Sequence, residues 1–297
     1  MDRVHRISLD GSRLTMDDRT LLNTLAGVDT SINRRNFFVT IDDDDPRWPD
    51  LSQLVRRLGG SDRPTKRFTD GERNVAEWLA TSPVSYHGHP GIRPIRDRLG
   101  EFFDSPSGDP LCPHCETGRQ RTSEPLPMAG EPHWERSDFL QIDALRDLWF
   151  ARPEVYATVF EPLGVLCRPV VNRRTGESLC TIVELVPQRT NVPLSIPSDD
   201  SGAEPLWISV HCGVCGAVGF EIGAAAGWLP GDRVIPAPAA KLPPGFHFVT
   251  TQERWTAATK PECRTWSLVL ISQTLFQRLR HHTLRGIACE PTGWEEW

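Results

Sequence analysis

Hydrophobic spacing predicts a strand and two helices in the N-terminal part of the chain. Residues 36–41 are mostly apolar and end at an acidic run, which is typical of a strand and the turn after it. Four apolar residues then recur at helical spacing before Gly59 and Gly60, which would end a helix: Leu51, Leu54, Val55 and Leu58. Residues 69–72 have a capping-box pattern before the apolar stretch 75–79, and this pattern predicts a second short helix.

Strand patterns dominate the second half of the chain. Pro153 can occupy the first turn of a helix whose apolar face ends near Gly164, and Ser272 can cap a later helix that presents Leu275 and Leu279. Apolar and β-branched runs predict strands at residues 165–171, 179–186, 206–211, 265–271 and 286–289. The expected fold class is α+β, with a mixed sheet and short helices.

Composition divides the chain into three parts. Residues 1–30 are polar and weakly patterned, so we expect a loosely ordered arm. Residues 31–105 form an N-terminal α/β segment that ends in a stretch rich in proline and glycine. Residues 106–297 contain all eight cysteines and are expected to form one α+β domain.

Charge and hydropathy exclude several classes of protein. No apolar run approaches the ~20 residues that a membrane helix needs, and the first residues lack the apolar core of an export signal. The expected location is therefore the cytoplasm, where closely spaced cysteines more often bind metal than form disulfides. The net charge of -6 also disfavours non-specific binding to nucleic acid, which needs clustered positive charge.

Two Cys-x-x-Cys sequences are the strongest chemical signal in the chain. Cys112 and Cys115 form one pair, and Cys212 and Cys215, followed by Gly216, form the other. This spacing lets two thiolates converge on one tetrahedral ion, so the four cysteines predict a single structural Zn²⁺. Two unmetallated turns and a redox dithiol remain as alternatives, although neither pair follows the β-α-β pattern that a redox motif favours.

The distance between the two pairs is unusual. Ordinary zinc ribbons separate their pairs by roughly 15–20 residues, whereas residues 116–211 lie between these two. One ion would thus join distant segments as a split zinc knuckle and remove much chain entropy from the unfolded state. A catalytic zinc is disfavoured, because four thiolates leave no position for water.

Other polar residues have simpler interpretations. Four further cysteines are expected to be small buried hydrophobic residues: Cys167, Cys180, Cys263 and Cys289. His87 and His89 could bind a metal, but their Pro- and Gly-rich surroundings favour a surface turn. Four consecutive aspartates would point in different directions and favour a solvated loop: Asp42, Asp43, Asp44 and Asp45. Five basic residues near the end of the last helix are explained by the helix dipole: Arg278, Arg280, His281, His282 and Arg285.

With both cysteine pairs placed, the chain resembles the double-CXXCG-motif proteins, a bacterial family that includes immunity proteins of contact-dependent toxins. The resemblance covers about the last two-thirds of the chain. It comprises the two pairs with Gly216 and four other segments: residues 139–142, 160–164, 267–272 and 286–287. It implies four zinc ligands and a protein-binding role, and the chain departs from the motif at Glu116, where the family has glycine.

Three hypotheses for function follow from these patterns. The first is a zinc-stabilised cytoplasmic protein that binds another protein, as an immunity protein does when it neutralises a toxin encoded beside it. The second is a nucleic-acid-associated zinc ribbon that would need a basic face around Arg278 and Arg285. The third is an enzyme, such as a hydrolase, that uses His87, His89 or the aspartate run 42–45, and it would need those side chains to converge in one pocket. Because the sequence shows no nucleophile with a base and an orienting group, we expect no catalysis.

Overall fold

The computed structural model defines the fold for part of the chain. It describes residues 2–18, 22, 29–32, 36–83, 103–104, 120–121, 124–134, 137–142, 145–190, 192–195, 207–214, 218–222, 237–251, 253, 255–257 and 265–293. Residues up to Glu72 belong to one compact unit, and the described residues from Arg73 onward belong to a second. The structure thus divides the chain between residues 72 and 73, whereas the composition of the sequence predicted divisions after residues 30 and 105.

The first unit contains a four-stranded antiparallel sheet and a helix that packs on it. Its strands are β1 (Asp2–Asp10), β2 (Asp29–Ile32), β3 (Asn36–Asp42) and β4 (Ser61–Arg67), in the order β2-β3-β1-β4. The helix α1 (Trp48–Leu58) ends at Gly59, whose φ of 65° is the left-handed conformation that glycine adopts without a Cβ clash. Its buried Leu51, Leu54 and Val55 pack against Ile7 of the sheet. The predicted strand and helix are confirmed.

The N-terminal segment takes a central place in this sheet. The sequence predicted a loose arm over residues 1–30, but Asp2–Asp10 forms β1, which pairs with β3 on one side and with β4 on the other. Three residues of β1 at every second position, His5, Ile7 and Leu9, are buried. This spacing predicts a strand, but only two of these three side chains are strongly apolar, which weakens the signal.

The predicted capping box is present and starts a very short helix. The backbone N–H of Thr69 donates to Glu72 Oε2 at 2.7 Å, and the N–H of Glu72 donates to Thr69 Oγ1 at 3.2 Å. The helix α2 (Asp70–Val75) then ends, and the next apolar residues form the strand β5 (Trp78–Pro83). The prediction that the apolar stretch 75–79 belongs to the helix was therefore wrong beyond Val75.

The second unit consists of strands in several small sheets. After β5 the strands are β6 (Phe103–Asp104), β7 (Gln120–Arg121), β8 (Leu126–Met128), β9 (Phe139–Ile142), β10 (Leu145–Ala151), β11 (Leu166–Asn172), β12 (Ser178–Val186), β13 (Gln188–Arg189), β14 (Trp207–His211), β15 (Val218–Ile222), β16 (Phe248–Thr250), β17 (Trp255–Ala257), β18 (Thr265–Trp266), β19 (Val269–Ser272) and β20 (Ile287–Pro291). Two sheets have five strands, in the orders β8-β11-β12-β10-β9 and β13-β16-β19-β5-β20. A third sheet has the order β14-β15-β17-β18, and β6 pairs with β7 alone.

Two helical segments of the second unit lie where the sequence placed them. The helix α3 (Pro153–Val155) continues as a π-helical turn (Tyr156–Phe160) and a 3-10 turn (Glu161–Leu163) before Gly164. The helix α4 (Gln273–His281) begins after Ser272, whose Oγ accepts a hydrogen bond from the N–H of Leu275 at 3.3 Å.

One apolar core joins both helical segments to both five-stranded sheets. Phe160 from the π-helical turn packs edge-on against Phe139 of β9 and Phe248 of β16, with ring centroids 5.9 and 5.8 Å apart. Leu275 and Leu279 of α4 are buried in the same cluster. Because these contacts come from segments far apart in sequence, the positions of both helices depend on both sheets.

The segment 265–271, predicted as one strand, forms two strands, β18 and β19. These two strands belong to different sheets. Leu268 lies between them, and its carbonyl accepts a hydrogen bond from the N–H of Thr251 at 3.0 Å instead of continuing a ladder. The class is nevertheless mixed α+β, as predicted, and none of the helices in the described segments is long and apolar enough to cross a membrane.

Candidate functional site

Cys212 of the second cysteine pair directly follows the first strand of a β-hairpin. β14 and β15 are antiparallel, with Trp207 opposite Ile222 and His211 opposite Val218. Residues 212–217 connect them, so the hairpin turn begins at Cys212. Cys212 is partly buried and forms no disulfide, and the side chain of Val214 is 59% exposed. The ladder fixes the backbone up to His211, the residue before Cys212.

The first pair lies in a comparable connection. β6 and β7 are antiparallel, with Phe103 opposite Arg121 and Asp104 opposite Gln120. The connection between them, residues 105–119, contains Cys112 and Cys115. Both Cys-x-x-Cys sequences therefore occur between two strands that pair with each other.

The structure places one of the four predicted ligands. Cys112, Cys115 and Cys215 lie outside the described residues, and so do His87, His89 and Cys263. Among the residues that are described, no three His, Cys, Asp or Glu side chains form a group that could hold a metal ion. The prediction of a zinc site therefore depends on the chemistry of four cysteine thiolates and on their position in the two connections between paired strands.

The single cysteines differ in exposure. Cys180 is exposed on β12, so the prediction that it is a buried hydrophobic residue was wrong. Its backbone N–H donates to Glu131 Oε1 at 2.7 Å, which leaves the thiol outside that contact. Cys167 and Cys289 are partly buried, and burial raises the pKa of the Cys289 thiol to about 12.

A polar cluster in the first unit was not predicted from the sequence. His5 is only 5% exposed, and its Nε2 lies 2.7 Å from Asp43 Oδ1 while its Nδ1 lies 3.0 Å from Asp62 Oδ1. The ring also stacks on Trp48, with centroids 3.7 Å apart and planes 19° apart. Both ring nitrogens are therefore engaged by aspartate side chains, one from β4 and one from the turn after β3.

The aspartate run is not simply a solvated loop. Besides Asp43, which binds His5, Asp45 accepts hydrogen bonds from Arg47 Nε at 2.9 Å and Nη2 at 2.7 Å, a bidentate contact. These side-chain bonds, and then the bond from the backbone N–H of Arg47, lower the pKa of Asp45 to about 2. Asp44 is exposed, as predicted. The run therefore fixes the turn between β3 and α1.

A hydroxyl and an imidazole meet at the start of α4. His247 Nδ1 lies 2.8 Å from Ser272 Oγ, and burial followed by the positive charge of Arg278 lowers the pKa of His247. A serine beside a neutral histidine could act as a nucleophile, but Ser272 is 8% exposed and its oxygen already caps the helix. The contact therefore stabilises the helix start.

The basic residues lie at the C-terminal end of α4, as predicted. Arg280, His281, His282 and Arg285 are exposed, and Arg278 is partly buried.

Comparison of the chain with protein-family models, with curated proteins and with solved structures finds no match.

Proposed function

We propose that this chain is a zinc-stabilised protein-binding protein, in which one Zn²⁺ is held by four thiolates: Cys112, Cys115, Cys212 and Cys215. The observation that carries the proposal is the position of each pair between antiparallel strands, β6 with β7 and β14 with β15. Pairing holds the two ends of each connection close together. Two thiolates three residues apart in such a turn can then converge on one tetrahedral ion.

The bound ion would supply a cross-link and no reaction chemistry. Its ligands would come from the connections at residues 105–119 and 212–217, and the strands β7 to β14 lie between them in sequence. Closing so long a loop lowers the entropy of the unfolded chain, and so the metal would stabilise the second unit as a whole.

The binding role is supported by the resemblance to double-CXXCG-motif proteins and by the charge of the chain. We propose that the partner is a basic toxin encoded beside this protein, which the protein neutralises by occupying its surface. A net charge of -6 favours encounter with a basic protein over encounter with nucleic acid.

Metal analysis tests the zinc site. Protein purified without chelators should contain one zinc per chain, and Cys212→Ser should lower both the zinc content and the melting temperature. Cys180→Ser is the matched control, because Cys180 is exposed and its contact with Glu131 uses the backbone. Absence of zinc in the unmodified protein, or equal effects of the two substitutions, would contradict the proposal.

Co-expression tests the binding role. The tagged protein is expressed together with each neighbouring gene product and recovered at low and high salt. Co-purification of one basic protein, with association slowed by salt, would support the proposal because long-range steering is screened by salt. Recovery of nucleic acid with no such protein would contradict it.

A further inference from the structure

The exposed side of α4 forms part of an open groove in the second unit. Seven residues line this shallow, open groove: Asn74, Thr274, Gln277, Arg278, Arg280, His281 and His282. The opposite side of the helix is buried through Leu275, Phe276 and Leu279. All seven lining residues are polar or basic, and none of the seven is acidic.

Hydrogen bonds hold one wall of the groove in place. Arg280 Nη1 donates to Asn74 Oδ1 at 2.7 Å, and Gln277 Nε2 donates to the same oxygen at 3.2 Å. Gln273 Nε2 donates to the backbone oxygen of Asn74 at 2.8 Å. Because a guanidinium only donates hydrogen bonds, Asn74 must turn its Oδ1 toward Arg280. This contact fixes the orientation of the side-chain amide, so Nδ2 of Asn74 is the atom that can donate to a ligand. The network joins α2 to α4 and preorganises the groove.

The helix dipole accounts for only part of the positive charge. The C-terminal end of an α-helix carries roughly half a negative charge, whereas Arg278 and Arg280 carry one full positive charge each. The described residues that line the groove therefore supply basic groups beyond what the helix dipole alone requires. The lowered pKa of His247, which burial and then Arg278 cause, shows that this charge acts on neighbouring groups.

The end of α4 has an unusual backbone conformation. Thr283 has φ 53°, the left-handed region, and in the described part of the chain no other non-glycine residue has a positive φ. Its N–H donates to the oxygen of Arg280 at 3.0 Å, so the chain turns directly after the helix. The turn follows His281 and His282, whose rings are perpendicular with centroids 5.1 Å apart. Such strain in a β-branched residue is uncommon and is found at functional sites.

We propose that this groove binds an acidic peptide segment, whose carboxylates accept hydrogen bonds from the Arg278 guanidinium and the Asn74 amide while His281 and His282 line its rim. A short segment needs only one such groove. Nucleic acid would need a wider basic surface, which the net charge of -6 disfavours. None of the residues that line the groove is a proposed zinc ligand. Experiments can therefore refute peptide binding by the groove without refuting the zinc site, and the reverse.

The test is a titration of a fluorescein-labelled hexaglutamate peptide with the full-length protein, followed by fluorescence anisotropy. Saturable binding that weakens with salt is expected. Arg278→Gln should raise the Kd about tenfold, the effect of losing one charge-assisted hydrogen bond, and Arg278→Lys should raise it less. Arg174→Gln removes the same charge from an exposed turn between β11 and β12 and should leave the Kd within about twofold.

Thr274→Glu provides a second test that does not depend on Arg278. Thr274 is exposed in the first turn of α4, where a carboxylate is compatible with the helix dipole, so this variant should fold. The added negative charge in the groove should abolish peptide binding while zinc content stays unchanged. The proposal is overturned if hexaglutamate does not bind, if Arg174→Gln weakens binding as much as Arg278→Gln, or if single-stranded oligothymidylate displaces the peptide at lower concentration than unlabelled hexaglutamate.

Discussion

The contact between His5 and Asp43 predicts that one aspartate of the acidic run stabilises the first unit while its neighbour does not. Asp43→Ala removes the acceptor 2.7 Å from Nε2 of a histidine that is 5% exposed. A buried hydrogen bond to a charged group contributes roughly 1.5–3 kcal/mol. Because the Asp43 side chain is 43% exposed, water can replace part of that bond. We therefore expect a loss of about 1–2 kcal/mol.

The assay is hydrogen exchange measured by mass spectrometry on peptides from β1, β3 and β4. It resolves the two units, whereas a single melting curve would mix them. A loss of 1–2 kcal/mol corresponds to exchange about five to thirty times faster in these strands. Peptides from β16 and β19 in the second unit should exchange at their original rates.

The matched control is Asp44→Ala. Asp44 is exposed and lies one position from Asp43 in the same run. Its substitution changes the net charge equally and should alter stability by less than about 0.5 kcal/mol. If the two variants exchange alike, the acidic run acts only through its total charge and the specific role of the His5 cluster is refuted.

Three further predictions follow from single residues. Thr283→Gly should stabilise the protein by about 1 kcal/mol in thermal or urea unfolding, because glycine relieves the left-handed strain at the end of α4, and a loss of stability would contradict this. The hydrogen bonds from Arg47 hold the pKa of Asp45 at about 2, below its unfolded value of ~3.9, so their contribution to stability should be complete above pH ~4 and be lost as the pH falls toward about 2. Asp45→Asn should remove that part of the pH dependence, and an unchanged acid-unfolding profile would argue against it. In the native protein iodoacetamide at pH 8 should modify Cys180 but not Cys289, whose pKa of about 12 disfavours the thiolate, and equal labelling by mass spectrometry would contradict the raised pKa of Cys289.

Sequence patterns predicted those elements whose causes are local. The helix α1 follows from apolar residues at helical spacing and from Gly59, and the start of α2 follows from reciprocal bonds between Thr69 and Glu72. The β11–β12 hairpin follows from two apolar runs around a polar turn with Gly176. Each of these signals lies within about ten residues of the structure it specifies.

The predictions failed where a segment depends on distant partners. The apolar residues after α2 form β5 because they pair with β19 and β20, which lie near the other end of the chain. Thr265–Trp266 and Val269–Ser272 separate because β17 pairs with one segment while β5 and β16 pair with the other. Periodicity within a short window contains no information about such partners. The His5 cluster escaped prediction for the same reason, since its two aspartates are 38 and 57 residues away.

The proposed zinc site combines both kinds of information. The local part, two cysteines three residues apart in a turn, could be read from the sequence, and the strand pairs β6–β7 and β14–β15 supply a suitable connection for each pair. The long-range part is the meeting of the two pairs across residues 116–211, which no local pattern specifies. A tetrahedral ion needs all four thiolates, so separate pairs would bind zinc weakly and at a ratio other than one per chain. Zinc stoichiometry thus measures the long-range contact itself, and the comparison of Cys212→Ser with Cys180→Ser shows whether that contact stabilises the fold.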